Sequence, residues 1–284
     1  MKISFLDFWP GFDSKNNFFF HSINQLGIKF KVVNPRRADI IFFSCFGSEN
    51  LKYNNCKKIL FLGENLDLNS YEFDYSISHH LMEEAKENHF RLPLWKTYID
   101  WFNVKTYTNP EYLIPLNYID QQNEFNLITK NKFCSIVYSS EYESRNKYIN
   151  LISKYKKVEV FGKNKFNNFL QEGERNKMVH LSSYKFSLAM ENQISDGYVT
   201  EKLLQAKISG NIPIFYGDAA VNKDFNPDCF IYINEMYDTE LMGTIEELDK
   251  DNNLYSNKIN QPLFTTKPSI NNFLNYLSKI IKVN

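Results

Sequence analysis

YKFSLAMENQISDGYVTEKLLQAKISGNIPIFYGD, residues 184–218, holds a strand, a polar loop, a helix and a second strand in one short span. Residues 184–192 form the first apolar run, and residues 211–218 form the second. Between them, Leu203, Leu204 and Ala206 supply an apolar helix face. Gly210 stands where a helix ends in the left-handed conformation. Thr200 is the expected N-cap, its hydroxyl accepting from a first-turn N–H. Pro213 predicts an edge strand or a position at the start of the strand. A strand–helix–strand unit of this kind belongs to a parallel α/β sheet. These local rules leave Glu201 and Lys202 unexplained. A lysine in the first turn opposes the helix dipole unless an anion lies there. A diphosphate is such an anion, and a neighbouring glutamate can accept from a ribose hydroxyl pair. Asn192 and Tyr198 would line the loop at the carboxyl end of the strand. Together the pattern suits a nucleoside diphosphate.

Outward from this unit the chain keeps the same rhythm. FCSIVYSS (133–140) and VEVFG (158–162) read as strands, separated by an amphipathic helix over 143–155. The apolar candidates of that helix are Tyr148, Ile149, Leu151, Ile152 and Tyr155. CFIYIN (229–234) is short and β-like. In the first third, KISFLDF (2–8), IKFKVVN (28–34), ADIIFFSCF (38–46), KKILFLGEN (57–65) and FDYSISHH (73–80) read as strands. FFFHSINQLG (18–27) has helical spacing and stops at Gly27, and RLPLWKTYI (91–99) closes the series. The unbroken apolar run in ADIIFFSCF is expected of a strand covered on both faces. Residues 118–132 are polar and patternless and mark a connection, so the expected domains are 1–125 and 126–284. The tail, 268–282, places Ile270, Phe273, Leu274, Leu277 and Ile281 on one helical face. That face would pack back on the first domain or touch a membrane surface. Two such units in series predict two facing Rossmann-like domains. Ligands in these sheets bind beyond the carboxyl ends of the strands, so the interdomain cleft is the expected site.

Lys+Arg and Asp+Glu both count 33, so no net basic field points to nucleic acid. Aromatic residues make up 16% of the chain, which implies large cores or sites that use ring faces. Cys45, Cys56, Cys134 and Cys229 are far apart and without paired spacing, as expected of reduced thiols in a cytoplasmic protein. The N-terminus reaches Asp7 and Trp9-Pro10-Gly11 too soon for a signal peptide. No apolar run is long enough for a membrane-spanning helix.

Residues 184–218 resemble the signature region of the α1,3/4-fucosyltransferases, glycosyltransferase family ten, of the bacterial type. Glu191, Asn192, Tyr198, Val199, Thr200, Glu201, Lys202, Pro213 and Gly217 all match its pattern, and KDFNPDCFI (223–231) continues it. FLGENLDLNSYEFDYSI (61–77) is similar to the family's Gly-Glu-Asn segment, and RLPLW (91–95) to its Arg-hydrophobic-Pro segment. Arg145 falls where the family places an arginine at a helix start. Neither C-terminal heptad repeats nor an N-terminal anchor, features of longer relatives, is expected here.

The resemblance implies a GT-B architecture, α/β with two facing Rossmann-like domains, and inverting transfer of L-fucose from GDP-β-L-fucose. The implied acceptor is a hydroxyl of an N-acetylglucosamine-containing glycan, either Lewis-type or a lipopolysaccharide O-antigen. It implies Glu64 as the general base. It implies Arg145 and Lys202 on the diphosphate, Glu201 on the ribose or near the positive charge developing on the sugar, and Asn192 and Tyr198 as donor contacts. No cofactor is required beyond the donor substrate, with stimulation by a divalent metal left open, as is the oligomeric state. The alternatives are a GDP-sugar transferase of another sugar or linkage, and a non-catalytic glycan- or nucleotide-binding relative.

Plainer readings stand beside these. Glu64 could be a surface glutamate ending a strand, and Arg145 an ordinary first-turn residue of an amphipathic helix. Lys163 is a donor-side cation or a solvated loop residue. Asp249-Lys250-Asp251 has the Asp-x-Asp form of a manganese site but reads as a solvated turn. His79, His80 and His89 lack zinc spacing and are structural or near the acceptor. Trp9 either packs in a core or stacks on an acceptor sugar.

Overall fold

The structure, a computed structural model, describes residues 1–81, 87–120, 130–162, 169–171 and 173–282. Lys163 and most of the expected connection at 118–132 lie outside these residues. The chain divides into two units, Met1–Pro115 with Pro268–Asn284, and Leu116–Lys267. The first unit therefore ends ahead of residue 125 and takes in the C-terminal segment.

In the first unit six strands run parallel: β1 (Lys2–Leu6), β2 (Lys31–Val32), β3 (Ile40–Phe43), β4 (Lys57–Leu62), β5 (Tyr75–Ser78) and β6 (His89–Arg91). Their order is β2-β1-β3-β4-β5-β6. Side chains alternate across a strand, and the central strands bury both sets. Ile40, Phe42, Ile59 and Phe61 join one cluster, whereas Ile41, Phe43, Leu60 and Leu62 join another on the opposite face. This explains the unbroken apolar runs. Helix α1 (Phe18–Gln25) starts at Asn17, whose side chain accepts from the Phe20 N–H, and gives way to Gly27 at φ +67°. The high aromatic content is spent here, with Phe5 on Phe42 at 5.4 Å and Phe19 on Phe61 at 5.0 Å between ring centroids. In the closing segment 91–99, Arg91 ends β6 and Leu94–Tyr98 forms a 3₁₀ turn. A two-stranded parallel pair, β7 (Ile99–Asp100) with β8 (Ile114–Pro115), follows it.

The second unit starts with α2 (Leu116–Asp120) and has five parallel strands: β9 (Lys132–Val137), β10 (Val158–Phe161), β11 (Tyr184–Met190), β12 (Ile212–Tyr216) and β13 (Ile231–Tyr232). The order is β10-β9-β11-β12-β13. Pro213 lies inside the sheet, opposite Ser187 of β11, but pairing with β13 begins only at Ile214. Its missing N–H is tolerated near the strand start. Helix α3 (Glu143–Ser153) buries Tyr148 and Ile152 in the sheet's core cluster. Helix α5 (Glu201–Ile208) packs on β11 and β12 with Leu203 and Leu204 fully buried.

Among the described residues, three helices of eight residues or more went unread in the sequence: α4 (Glu174–Leu181), α7 (Asp238–Lys250) and α8 (Asn252–Ile259). Short α6 (Val221–Asp224) lies between β12 and β13. Leu241, Ile245 and Leu248 of α7 are buried at helical spacing. Asp249 is thereby no solvated turn residue. Its carboxylate is buried and accepts from Tyr155 Oη at 3.0 Å and Lys185 Nζ at 2.8 Å, and pairs with Lys156. Asp251 caps α8 through the N–H groups of Asn253 and Leu254.

The last helix, α9 (Asn271–Lys282), belongs to the first unit and buries Phe273, Leu277, Ile280 and Ile281. Phe273 packs on Phe18 at 5.2 Å and Phe90 at 5.7 Å. Lys57 Nζ donates to the Ile280 carbonyl at 2.8 Å, satisfying an end the helix itself leaves open. No helix among the described residues is long and apolar enough to cross a membrane.

Candidate functional site

The loop from β11 to α5 begins with Glu191, whose N–H donates to the Tyr216 carbonyl at 2.8 Å and extends the sheet by one bond. Its side chain is fully buried. A buried carboxylate is costly unless paired and hydrogen-bonded. Here Oε1 accepts from the Thr200 N–H at 2.8 Å, both oxygens lie 2.9 Å from Thr200 Oγ1, and Oε2 is 2.8 Å from Lys202 Nζ. The sheet also closes tightly on this side. A Cβ at Gly217 would fall 2.6 Å from the Phe215 ring and 3.0 Å from Glu191 Cγ.

Thr200 is the residue preceding α5, but its hydroxyl makes no cap bond to a first-turn N–H. The expectation fails for an electrostatic reason. The Thr200 hydroxyl donates to the Glu191 carboxylate, and Lys202 Nζ donates to the hydroxyl oxygen at 2.9 Å. Thr200 is a bridge inside an ion pair.

Lys202 keeps 19% of its side chain exposed. Burial works against its charge, but the Glu191 and Glu201 carboxylates outweigh it and hold its pKa above the usual lysine value. For Glu201 burial works upward, and the Lys202 and Lys177 ammoniums prevail and hold the carboxyl below its usual range. Lys177, on α4, is pushed down by burial despite the pull of Glu201. It is the residue sequence reasoning missed, because only the packing of α4 on α5 brings it here. Arg145, Lys177 and Lys202 line one small void of about 10 Å³, roughly the room for a single water.

Arg145 is 2% exposed, so it is not a solvated first-turn residue. It points inward from α3, and its guanidinium lies between the rings of Tyr138 and Tyr142 at 4.9 and 5.1 Å. It donates to the Ser140 carbonyl and to Asn192 Oδ1, the latter at 2.7 Å. Burial lowers its pKa. Arg145 and Asn192, far apart in sequence, thus meet as a hydrogen-bonded pair. Tyr198 is buried, at 3% exposure, in the turn closed by its N–H to the Ser195 carbonyl. Asp218 fixes the same loop by accepting from the Gly197 N–H at 3.1 Å.

Glu64 belongs to the first unit. It is exposed in the segment after β4 and lines a cavity of about 250 Å³ with Trp9, Ser44, Phe46, Tyr98 and Asn109. Trp9 is held there by its Nε1–H to the Asn109 carbonyl at 3.0 Å. His79 is buried and stacks on His80 at 4.1 Å, while His89 meets Ser76 Oγ at 2.8 Å. Among the described residues no cluster of His, Cys, Asp or Glu is arranged to hold a metal ion.

Comparison with known proteins bears on the family and the fold. Residues 3–98 match the model of the alpha-(1,3)-fucosyltransferase FucT N-terminal domain, and residues 127–260 that of the glycosyltransferase family 10 (fucosyltransferase) C-terminal part. The alpha-(1,3)-fucosyltransferase FucT of Helicobacter pylori is 29% identical over 249 residues, which are 78% of this chain and 51% of that protein. A 4-galactosyl-N-acetylglucosaminide 3-alpha-L-fucosyltransferase of Cricetulus griseus is 33% identical over 120 residues, 41% of this chain and 33% of that protein. A crystal structure of an alpha1,3-fucosyltransferase superposes with a TM-score of 0.76 at 25% identity, covering 99% of this chain and 89% of that one. The chain spans about half the length of the Helicobacter pylori relative and a third of the Cricetulus griseus one. The fold is of the GT-B class. With both family models matched in order along most of its length, the chain belongs to glycosyltransferase family ten, the fucosyltransferases.

Proposed function

We propose that the chain is an inverting α1,3-fucosyltransferase that moves L-fucose from GDP-β-L-fucose to a hydroxyl of an N-acetylglucosamine-containing glycan. The observation that carries the reading is the meeting of Arg145, Lys202, Glu201 and Asn192 at the carboxyl end of β11 and the start of α5. This is where an α/β sheet takes its ligand. The diphosphate lies against Lys202 and Arg145, which stabilise it as it leaves. Glu201 accepts from the ribose hydroxyls or faces the cationic sugar. Asn192, fixed by Arg145, and the ring of Tyr198 shape the donor pocket.

In the transfer, Glu64 takes the proton of the acceptor hydroxyl. The acceptor oxygen forms a bond to the anomeric carbon as the bond from that carbon to the β-phosphate oxygen breaks. GDP departs with the electron pair, and the β-linked donor becomes an α-linked product. The acceptor class follows the 4-galactosyl-N-acetylglucosaminide in the Cricetulus griseus relative's name. Incubation with GDP-fucose and N-acetyllactosamine or its type 1 isomer, followed by linkage analysis, tests the reading. The expected product is α1,3-fucosylated N-acetyllactosamine, and GDP-fucose left intact with both acceptors refutes the assignment.

A further inference from the structure

Glu191 has no part in the reaction just described, yet the polar groups of the site are built around it. We propose that Glu191 is a positioning residue that acts through Lys202, holding its ammonium charged and aimed before a nucleotide arrives. The inference rests on the reading of Lys202 as a diphosphate ligand.

The geometry fixes the lysine from one side. Lys202 Nζ donates to Glu191 Oε2 at 2.8 Å and to Thr200 Oγ1 at 2.9 Å, so two of its three N–H groups are committed. A lysine has a flexible four-carbon stem and a point charge, so such anchoring decides where the charge sits. The anchor is itself rigid. Glu191 follows β11 directly, bonds the Tyr216 carbonyl through its N–H, and is fully buried with Gly217 closing over its Cγ.

The surrounding charges make this anchor matter. Lys202 faces Glu191 beyond β11, Glu201 on its own helix, Lys177 on α4 and Arg145 on α3. Burial and the two other cations oppose a charged lysine, and the two carboxylates favour it. Without the charge of Glu191, Glu201 alone would stand against burial, Lys177 and Arg145. A purely structural role would not need a charge, since well-packed apolar groups often replace a buried ion pair without loss of stability.

The test is the pH dependence of GDP binding in Glu191→Gln, which keeps size and one acceptor oxygen, measured by calorimetry beside the unsubstituted protein. The readout is the ratio of the two dissociation constants, which cancels titration of GDP itself. This ratio should grow about tenfold or more between about pH 7 and about pH 9.5, since each unit of lowered pKa lowers the ammonium fraction about tenfold above it. Adding Lys202→Arg should flatten the ratio, because a guanidinium keeps its proton in this range. A ratio independent of pH, or a pH dependence that survives Lys202→Arg, overturns the proposal. Should Glu191→Gln fail to fold, side-chain NMR of Lys202 in the unsubstituted protein decides instead. Titration above the ordinary lysine range supports the proposal, and titration within or below it overturns it. That measurement needs no nucleotide, so absence of GDP binding would refute the functional reading while Glu191's hold on Lys202 remains tested.

Discussion

At the scale of single residues, the roles proposed for Lys202 and Glu64 separate binding from chemistry. Lys202→Ala removes a charged hydrogen-bond donor of a kind worth about 1.5–3 kcal/mol, so GDP should bind roughly 10- to 100-fold more weakly. Unchanged affinity by calorimetry would remove the lysine from the diphosphate. The same substitution leaves Glu191 buried and without its cation, a defect costing on the order of 3–5 kcal/mol in a fully buried pair and less beside a partly exposed lysine. Thermal unfolding should therefore fall as well, and affinity is measured below that transition. Glu64 is exposed and should behave differently. Glu64→Ala should keep the stability and GDP affinity of the parent while transfer slows about 10²- to 10⁴-fold, the usual worth of a general base. Near-normal turnover would end the assignment. The motif residues were legible because they are neighbours in sequence. Lys177 was not, because its link to Lys202 and Glu201 runs through the packing of two helices.

Among the elements, α9 shows what periodicity can carry. Its apolar positions announced a buried face, and Phe273, Leu277 and Ile281 are buried. Ile280 is buried too, which widens the face beyond the stripe read from the sequence. Leu277→Ala should cost the first unit about 2–5 kcal/mol, the range for a buried leucine. Urea unfolding followed by tryptophan fluorescence measures it, and a loss below about 1 kcal/mol would mean that the helix is not part of that core. Helix α4 shows the opposite case. It buries only Leu181, so its sequence holds no stripe to read. Helix α7 had a stripe, Leu241, Ile245 and Leu248, inside a segment whose many acidic residues hid it.

For the whole molecule, buried titratable groups set how stability follows pH. Burial and the neighbouring His80 lower the pKa of His79 to about 3. The unfolded chain therefore binds more protons than the folded one between about pH 6.5 and about 3, and stability falls as pH falls through that window. Lys130 and Lys207 are lowered by burial to about 8, and both ammoniums donate to backbone carbonyls. By the same sign, stability should rise as pH rises from about 8 to about 10.5, until other groups titrate. Unfolding free energies from urea titrations across pH check both limbs. Replacing His79 by Leu should flatten the acid limb, and a limb of unchanged slope would assign it to other groups.

The sequence by itself determined the fold class and the family motif. Apolar runs of strand length between helical stretches dictate parallel sheets, and Glu191 to Lys202 are close enough along the chain to be recognised together. Tertiary structure alone decided what those residues do to one another. It turned Arg145 inward between two tyrosines, made Thr200 a bridge rather than a cap and brought Lys177 to the site. The physical reason is range. Propensity and periodicity act over a few residues, whereas burial and charge act on whatever the fold brings within a few ångströms, however far apart in the chain.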